Sequence, residues 1–170
     1  MPILHTVGVR YDRLISVGGY NSSTDGYTYT AITEPFLPHQ SAIGIATDGI
    51  TLTAVSDDGY VASSLDGLGW TNGSIIDGDL GPRAIRFAKD SQGLNPLWML
   101  VGTQKYARNE PSHERWDEVA QIFTSPNGNQ DSWKMVYSQD DTESVLHGCR
   151  RVGDMWIACG VSHDNPLLLY

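Results

Sequence analysis

A chain of 170 residues is long enough to bury one real core and does not ask for two, so a single domain over residues 1–170 is expected. Its 20 acidic residues against 11 basic ones give a net charge of −9, which repels phosphate backbones and anionic lipid heads and so excludes nucleic acid and membrane surfaces as expected partners. Glycine is abundant, helix-period apolar stripes are nearly absent, and short Val, Ile, Thr and aromatic runs recur between Gly, Asp and Asn, a pattern that predicts an all-β fold.

The opening residues, Met1-Pro2-Ile3-Leu4-His5, do not lead from a basic segment into a long apolar run, and no window approaches ~18 consecutive apolar residues. The expectation is a soluble chain, cytoplasmic as synthesised. Two cysteines, Cys149 and Cys159, are too few for a disulfide framework and are read as free thiols.

Taken in order, the chain spells one pattern four times, in units of about 3–37, 41–76, 83–138 and 144–170. The first runs Val7 to Arg10, turns at Tyr11-Asp12-Arg13, continues Leu14 to Gly18 and reaches Ser22-Ser23-Thr24-Asp25-Gly26 with Tyr29 following. The second runs Ile43 to Ala46, turns at Asp48-Gly49, continues Leu52 to Val55, and leads through Tyr60-Val61-Ala62 into Ser63-Ser64-Leu65-Asp66-Gly67 and Trp70. In the third, Ile85 to Ala88 and Trp98 to Gly102 flank a longer turn, and Thr124-Ser125-Pro126-Asn127-Gly128 precedes Trp133. The fourth reads His147 to Arg150, Gly153-Asp154, Trp156 to Gly160, with Pro166 to Tyr170 as its third strand. Ser64 lies 41 positions after Ser23, whereas Ser125 lies 61 after Ser64, and the excess sits between Thr103 and Gln121.

Aligned in this way, Leu14, Leu52, Trp98 and Trp156 share one position, and Val17, Val55, Val101 and Cys159 share another. Units of roughly 40 to 50 residues with four short strands predict the blades of a β-propeller, each burying both faces against its neighbours. The expected fold is a small propeller of about four blades, the last incomplete, with one inserted loop. The serine, Asp-Gly and aromatic residues of each unit predict a tight turn: Asp accepts from backbone amides ahead of it, and Gly allows a positive φ.

The segments Ser23 to Tyr29, Ser64 to Trp70 and Ser125 to Trp133 resemble the Asp-box (BNR) repeats of sialidases and many other β-propellers. Here Gly follows Asp directly, the first segment has Tyr for Trp, and the third has Asn for Asp plus two extra residues. The resemblance implies the fold and places these turns on outer blade edges, away from any active site. It also occurs in non-enzymes, phage particle and tail proteins among them.

A sialidase-like activity, as the resemblance implies it, needs a converging arginine cluster, a Tyr-Glu pair and an Asp acid. Arg10, Arg86 and Arg150 fall on the same alternation of the innermost strands and form a candidate axial ligand cluster, against the plainer reading that they pair with Asp12, Asp48 and Asp154. Only five glutamates exist, three of them (Glu110, Glu114, Glu118) in the insertion, so no catalytic residue and no enzyme is expected. His147, Cys149, Cys159 and His163 include soft metal ligands, but the alignment sets both cysteines at hydrophobic positions, so they are read as small buried hydrophobes with no metal. Asp77-Gly78-Asp79 is read as an ordinary turn. No cofactor fingerprint is present.

Two stretches are the expected contact surfaces. The insertion carries Tyr106, Arg108, Arg115 and Trp116, with Pro111-Ser112 able to start a short helix, and loops on a rigid scaffold are where recognition usually sits. The apolar end, Leu167, Leu168, Leu169 and Tyr170, is a strand in need of cover. The expected function is therefore a non-catalytic interaction or structural module, a homo- or hetero-oligomer with protein subunits of a larger assembly such as a phage virion or tail. The alternative is a glycan-binding or sialidase-like protein using the axial arginines.

Overall fold

The computed structural model describes residues 7–10, 13–16, 20–33, 35–36, 40–71, 73–76, 80–108, 115–139 and 143–170. These residues are all-β. The first sheet contains β1 (Val7–Arg10), β2 (Arg13–Ser16), β3 (Asn21–Ser23) and β4 (Thr30–Ala31). The second contains β5 (Ala42–Thr47), β6 (Leu52–Ser56), β7 (Tyr60–Ser64) and β8 (Ser74–Ile75). The third has β9 (Leu80–Ala88), β10 (Leu97–Arg108), β11 (Arg115–Ser125) and β12 (Lys134–Ser138), with a 3-10 turn at Gln130–Ser132. The fourth has β13 (Ser144–Val152), β14 (Met155–Ser162) and β15 (Asn165–Leu169). Each sheet is an antiparallel meander in chain order, and none closes on itself.

The first strand of each sheet lies against the first strand of the next: β1 on β5, β5 on β9, β9 on β13. Three apolar clusters fill the three gaps this leaves. Ile15 meets Leu52, Ala54 and Ala62 between the first and second sheets. Val55 and Val61 meet Ile85, Trp98, Leu100 and Phe123 between the second and third. Met99, Val101 and Ile122 meet Leu146, Cys149 and Ala158 between the third and fourth. Strand alternation explains the division. Leu52 and Ala54 point back to the preceding sheet and Val55 forward, while Trp98 and Leu100 point back and Met99 and Val101 forward.

The ladder register supports the repeat at its turn-bearing strands, since Leu14 pairs with Ser23, Leu52 with Ser64 and Trp98 with Ser125. It shifts the first strands. Ile45 pairs with Ala54, Ile85 with Leu100 and Cys149 with Ala158, so the equivalent of Cys149 in the third sheet is Ile85, two residues before Phe87. Bulges after Ala42, before Gly102 and around His147 absorb residues that a gapless comparison cannot place.

Two expectations are corrected here. The excess between Thr103 and Gln121 is not an inserted loop: β10 and β11 continue as one hairpin paired from Trp98 with Ser125 out to Arg108 with Arg115. Continuing the ladder satisfies backbone groups that a long loop would leave to water. The start of a helix at Pro111-Ser112 lies outside the described residues. The second correction is Cys159, which is exposed, whereas Cys149 is buried as expected. Position 159 points forward, like Val55 and Val101, and among the described residues no sheet packs on that side of the fourth.

Candidate functional site

The three serine turns are built alike. Ser23 Oγ accepts from Gly26 N at 2.8 Å, and Asp25 Oδ1 accepts from Tyr27 N at 2.8 Å and Thr28 N at 2.7 Å. Ser64 Oγ accepts from Gly67 N at 2.8 Å, and Asp66 Oδ1 from Leu68 N at 2.8 Å and Gly69 N at 2.9 Å. In the third, Ser125 Oγ accepts from Gly128 N at 2.7 Å and Asn127 Oδ1 from Asn129 N at 2.9 Å, so the amide performs the carboxylate's part. The glycines have φ of 79°, 75° and 73°, a region that favours residues without a Cβ. The backbone amides of Thr28 and Tyr27 hold Asp25 down from the usual 3.8 to about 2, and those of Gly69 and Leu68 lower Asp66. Each turn carboxylate or amide is occupied by its own turn, which is a structural use.

The aromatic after each turn shows the same end effect as Cys159. Trp70 packs on the cluster between the first and second sheets, and Trp133 on the next one. Tyr29, which follows the turn of the first sheet, is exposed. Among the described residues no sheet packs on that side of the first.

Arginine side chains gather between the first strands of the third and fourth sheets. Arg83, Arg86 and His147 line a groove of about 530 Å³ with Ile43, Ile85 and Cys149, and Arg86, Arg150 and Arg151 line an adjoining one of about 390 Å³ with Phe87 and Trp156. Arg86 pairs across the ladder from Met99 and Arg150 from Ile157, equivalent positions, whereas Arg10 pairs with Arg13, two rows away on the same alternation. Arg86 donates to Ile85 O at 2.8 Å. Arg151 donates to Asn95 O and Asp154 O and lies 6.0 Å over the Trp156 ring. The aspartates suggested as partners bond elsewhere: Asp48 accepts from Ile50 N and Thr51 N, and Asp154 from the Ser91 amide and hydroxyl. Asp12 lies outside the described residues.

The two cysteines do not converge. Cys149 pairs with Ala158 and Cys159 with Gly148, neighbouring rows whose side chains alternate, so the two thiols face opposite sides of the sheet. Burial pushes the Cys149 thiol up to about 12, against a smaller opposing effect of Arg86, and its Sγ donates to Met99 O at 3.9 Å. Among the described residues no three His, Cys, Asp or Glu side chains come together to hold a metal. The Asp77-Gly78-Asp79 segment lies outside the described residues.

The fourth sheet presents an uncovered face. Leu168 is 59 % exposed and Tyr170 89 %, and Met155, Val152 and Cys159 are also exposed, while Leu167 and Leu169 turn inward onto the third sheet. The expected strand 166–170 is thereby split by alternation into an inner and an outer set. At the far end of the third sheet, Tyr106 stands opposite Asp117, Trp116 opposite Ala107 and Arg108 opposite Arg115, the last described rungs of the long hairpin. The sequence reading missed Arg83 and Arg151, which the register of the first strands, revealed only by the ladder, brings to the grooves, and it missed Met155 on the exposed face of the fourth sheet.

No family model, no curated protein and no solved structure matches this chain. No helix among the described residues is long and apolar enough to cross a membrane.

Proposed function

We propose that this chain is a non-catalytic β-propeller module with Asp-box turns, serving as a building or attachment part of a larger assembly of protein subunits, of the kind found in a phage virion or tail. The observation that carries this reading is the forward face of the fourth sheet. Thr53 and Val55, and Met99 and Val101, are buried beneath the next sheet, while Cys159 and Leu168 beside it are exposed. An apolar sheet face and a free strand edge of this kind are covered by association. Tyr106, Arg108, Arg115 and Trp116, on the far rungs of the paired hairpin, are proposed as a second contact region. Sedimentation velocity over a range of concentrations tests the reading: association is expected, and Leu168→Arg abolishes it. A protein that stays monomeric at every concentration and with every subunit of its parent assembly overturns it.

The second reading, a glycan-binding or sialidase-like protein, is favoured by the grooves lined by Arg83, Arg86, Arg150 and Arg151, whose guanidinium groups match carboxylates and sulfates. A glycan array and a fluorogenic sialoside separate the two. Saturable sugar binding lost in Arg86→Ala or Arg150→Ala establishes the second reading.

A further inference from the structure

The third serine turn is longer than the second. Trp70 lies six positions after Ser64 and Trp133 eight after Ser125, and the difference lies in the 3-10 turn Gln130–Ser132. The serine turn does not need the extra residues, because Ser125 Oγ already holds Gly128 N and Asn127 Oδ1 already holds Asn129 N, as in the shorter version. Nor does the core, since no residue of the 3-10 turn is buried. A departure from the repeat that serves neither, carried on a rigid sheet, is where recognition is to be sought.

The 3-10 turn contacts β7 and β8 of the preceding sheet, and a cleft of about 750 Å³ lies between them. That volume falls within the ~300–1,000 Å³ usual for small-molecule sites. Trp70, with Thr71 and Ser63 beside it, forms one wall, and Asn129, Gln130 and Asp131 form the other. Trp70 is half-buried and its Nε1 is enclosed, so its side chain presents ring carbon. Asn129 and Asp131 are exposed, while Gln130 Oε1 is enclosed with no partner among the described residues. An enclosed acceptor without a donor leaves that wall incomplete.

The lining contains the carboxylates of Asp66 and Asp131 and no lysine, arginine or histidine, which excludes an anionic ligand. Asn129, Gln130 and Asp131 are planar groups that each offer two adjacent polar atoms, a match for neighbouring hydroxyls, and the hydroxyls of Ser63 and Thr71 can both donate and accept. The apolar ring surface of Trp70 suits the C–H face of a sugar. A small cation would use the carboxylates and the ring but leave the amides and hydroxyls idle. We infer that this cleft binds a neutral carbohydrate, with a pyranose ring seated on Trp70 and its hydroxyls bonded by Asn129, Gln130 and Asp131. The site is separate from the arginine grooves, which lie along the first strands of the sheets, and it stands whether or not the chain assembles with other subunits.

The test titrates the full chain with neutral oligosaccharides of glucose, galactose, mannose and N-acetylglucosamine, with sialylated and sulfated glycans, arginine and choline as comparators. Expected is saturable binding of a neutral member by calorimetry, with NMR shifts at the Trp70 indole and the amides of Asn129 to Asp131. Asp131→Ala and Gln130→Ala are each expected to weaken it about tenfold at unchanged Tm. Arg86→Ala is expected to leave it as it is. No binding across the neutral panel overturns the proposal. So does sugar binding that neither Asp131→Ala nor Gln130→Ala weakens, and its loss in Arg86→Ala would move the site to the arginine grooves. Arginine or choline bound more tightly than any sugar also overturns it and marks a cation site.

Discussion

Thr53 Oγ1 donates a 2.9 Å hydrogen bond to the carbonyl of Gly128, joining the second sheet to the turn of the third across 75 residues of sequence. Thr53 is fully buried and pairs with Ser63 in its own sheet, so its hydroxyl faces the neighbouring turn with no access to water. Thr53→Val keeps the shape and strands the Gly128 carbonyl; the expected loss is about 1 to 2 kcal/mol in chemical denaturation. Thr53→Ser is expected to keep most of it.

Gly67→Ala and Gly128→Ala both place a Cβ at positive φ and inside a van der Waals boundary. The obstruction at Gly67 is the end of the Ile15 side chain, which can rotate away, whereas at Gly128 it is the rigid indole of Trp98. Both are expected to destabilise by roughly 1 to 3 kcal/mol. Gly128→Ala is expected to be the larger, measured by urea midpoint at unchanged m-value.

Acid sensitivity follows from the turn carboxylates. Asp25 is held at about 2 against an ordinary 3.8, and Asp66 is lowered by the same kind of amide donation. The folded state therefore binds fewer protons than the unfolded chain between those values, so the contribution is complete above 3.8 and fades as pH falls toward 2. Asp66→Asn is expected to flatten part of that acid loss while retaining the turn, because Asn127 already serves in the third sheet. Asp66→Ala removes the acceptor and is expected to cost about 1 to 2 kcal/mol near neutral pH. Thermal melts from pH 2 to 7 read both effects.

The two thiols are expected to react at very different rates. Cys149 is buried with its thiol pushed up to about 12, and Cys159 is exposed. One equivalent of a thiol reagent is expected to couple under native conditions at pH 8 and two after unfolding, with Cys159 modified first. A native protein that couples at both positions contradicts the burial of the third interface.

Trp98 is fully buried and Trp70 only partly, packed at the edge of its cluster. Trp98→Ala is expected to cost about 3 to 5 kcal/mol. Trp70→Ala is expected to cost less, in proportion to the smaller area it removes from water. Equal effects in a denaturant titration contradict this ordering.

Much of the architecture was legible in the residues. Turn chemistry is local: a serine, an Asx and a glycine within four positions satisfy one another's backbone whatever lies around them. The apolar agreement of Leu52 with Trp98, and of Val55 with Val101, follows from a period that the turns set. All-β character and the sheet boundaries were therefore readable from one sequence. The 103–121 excess was not, because Lys105, Tyr106, Glu118 and their neighbours have strand-compatible alternation but loop-like composition. Only pairing with the strand opposite decides between the two.

The sequence by itself determined which residues turn and which alternate, since hydrogen bonds within a turn and the two-residue period of a strand need no distant partner. Burial was decided by tertiary structure alone. Val101 and Cys159 occupy the same repeat position, and Trp70 and Tyr29 follow equivalent turns, yet one of each pair is covered and the other is exposed. The difference is whether another sheet stands on that side. A residue's own spelling carries no record of its neighbour, so the arginine grooves come into view only when the sheets are stacked.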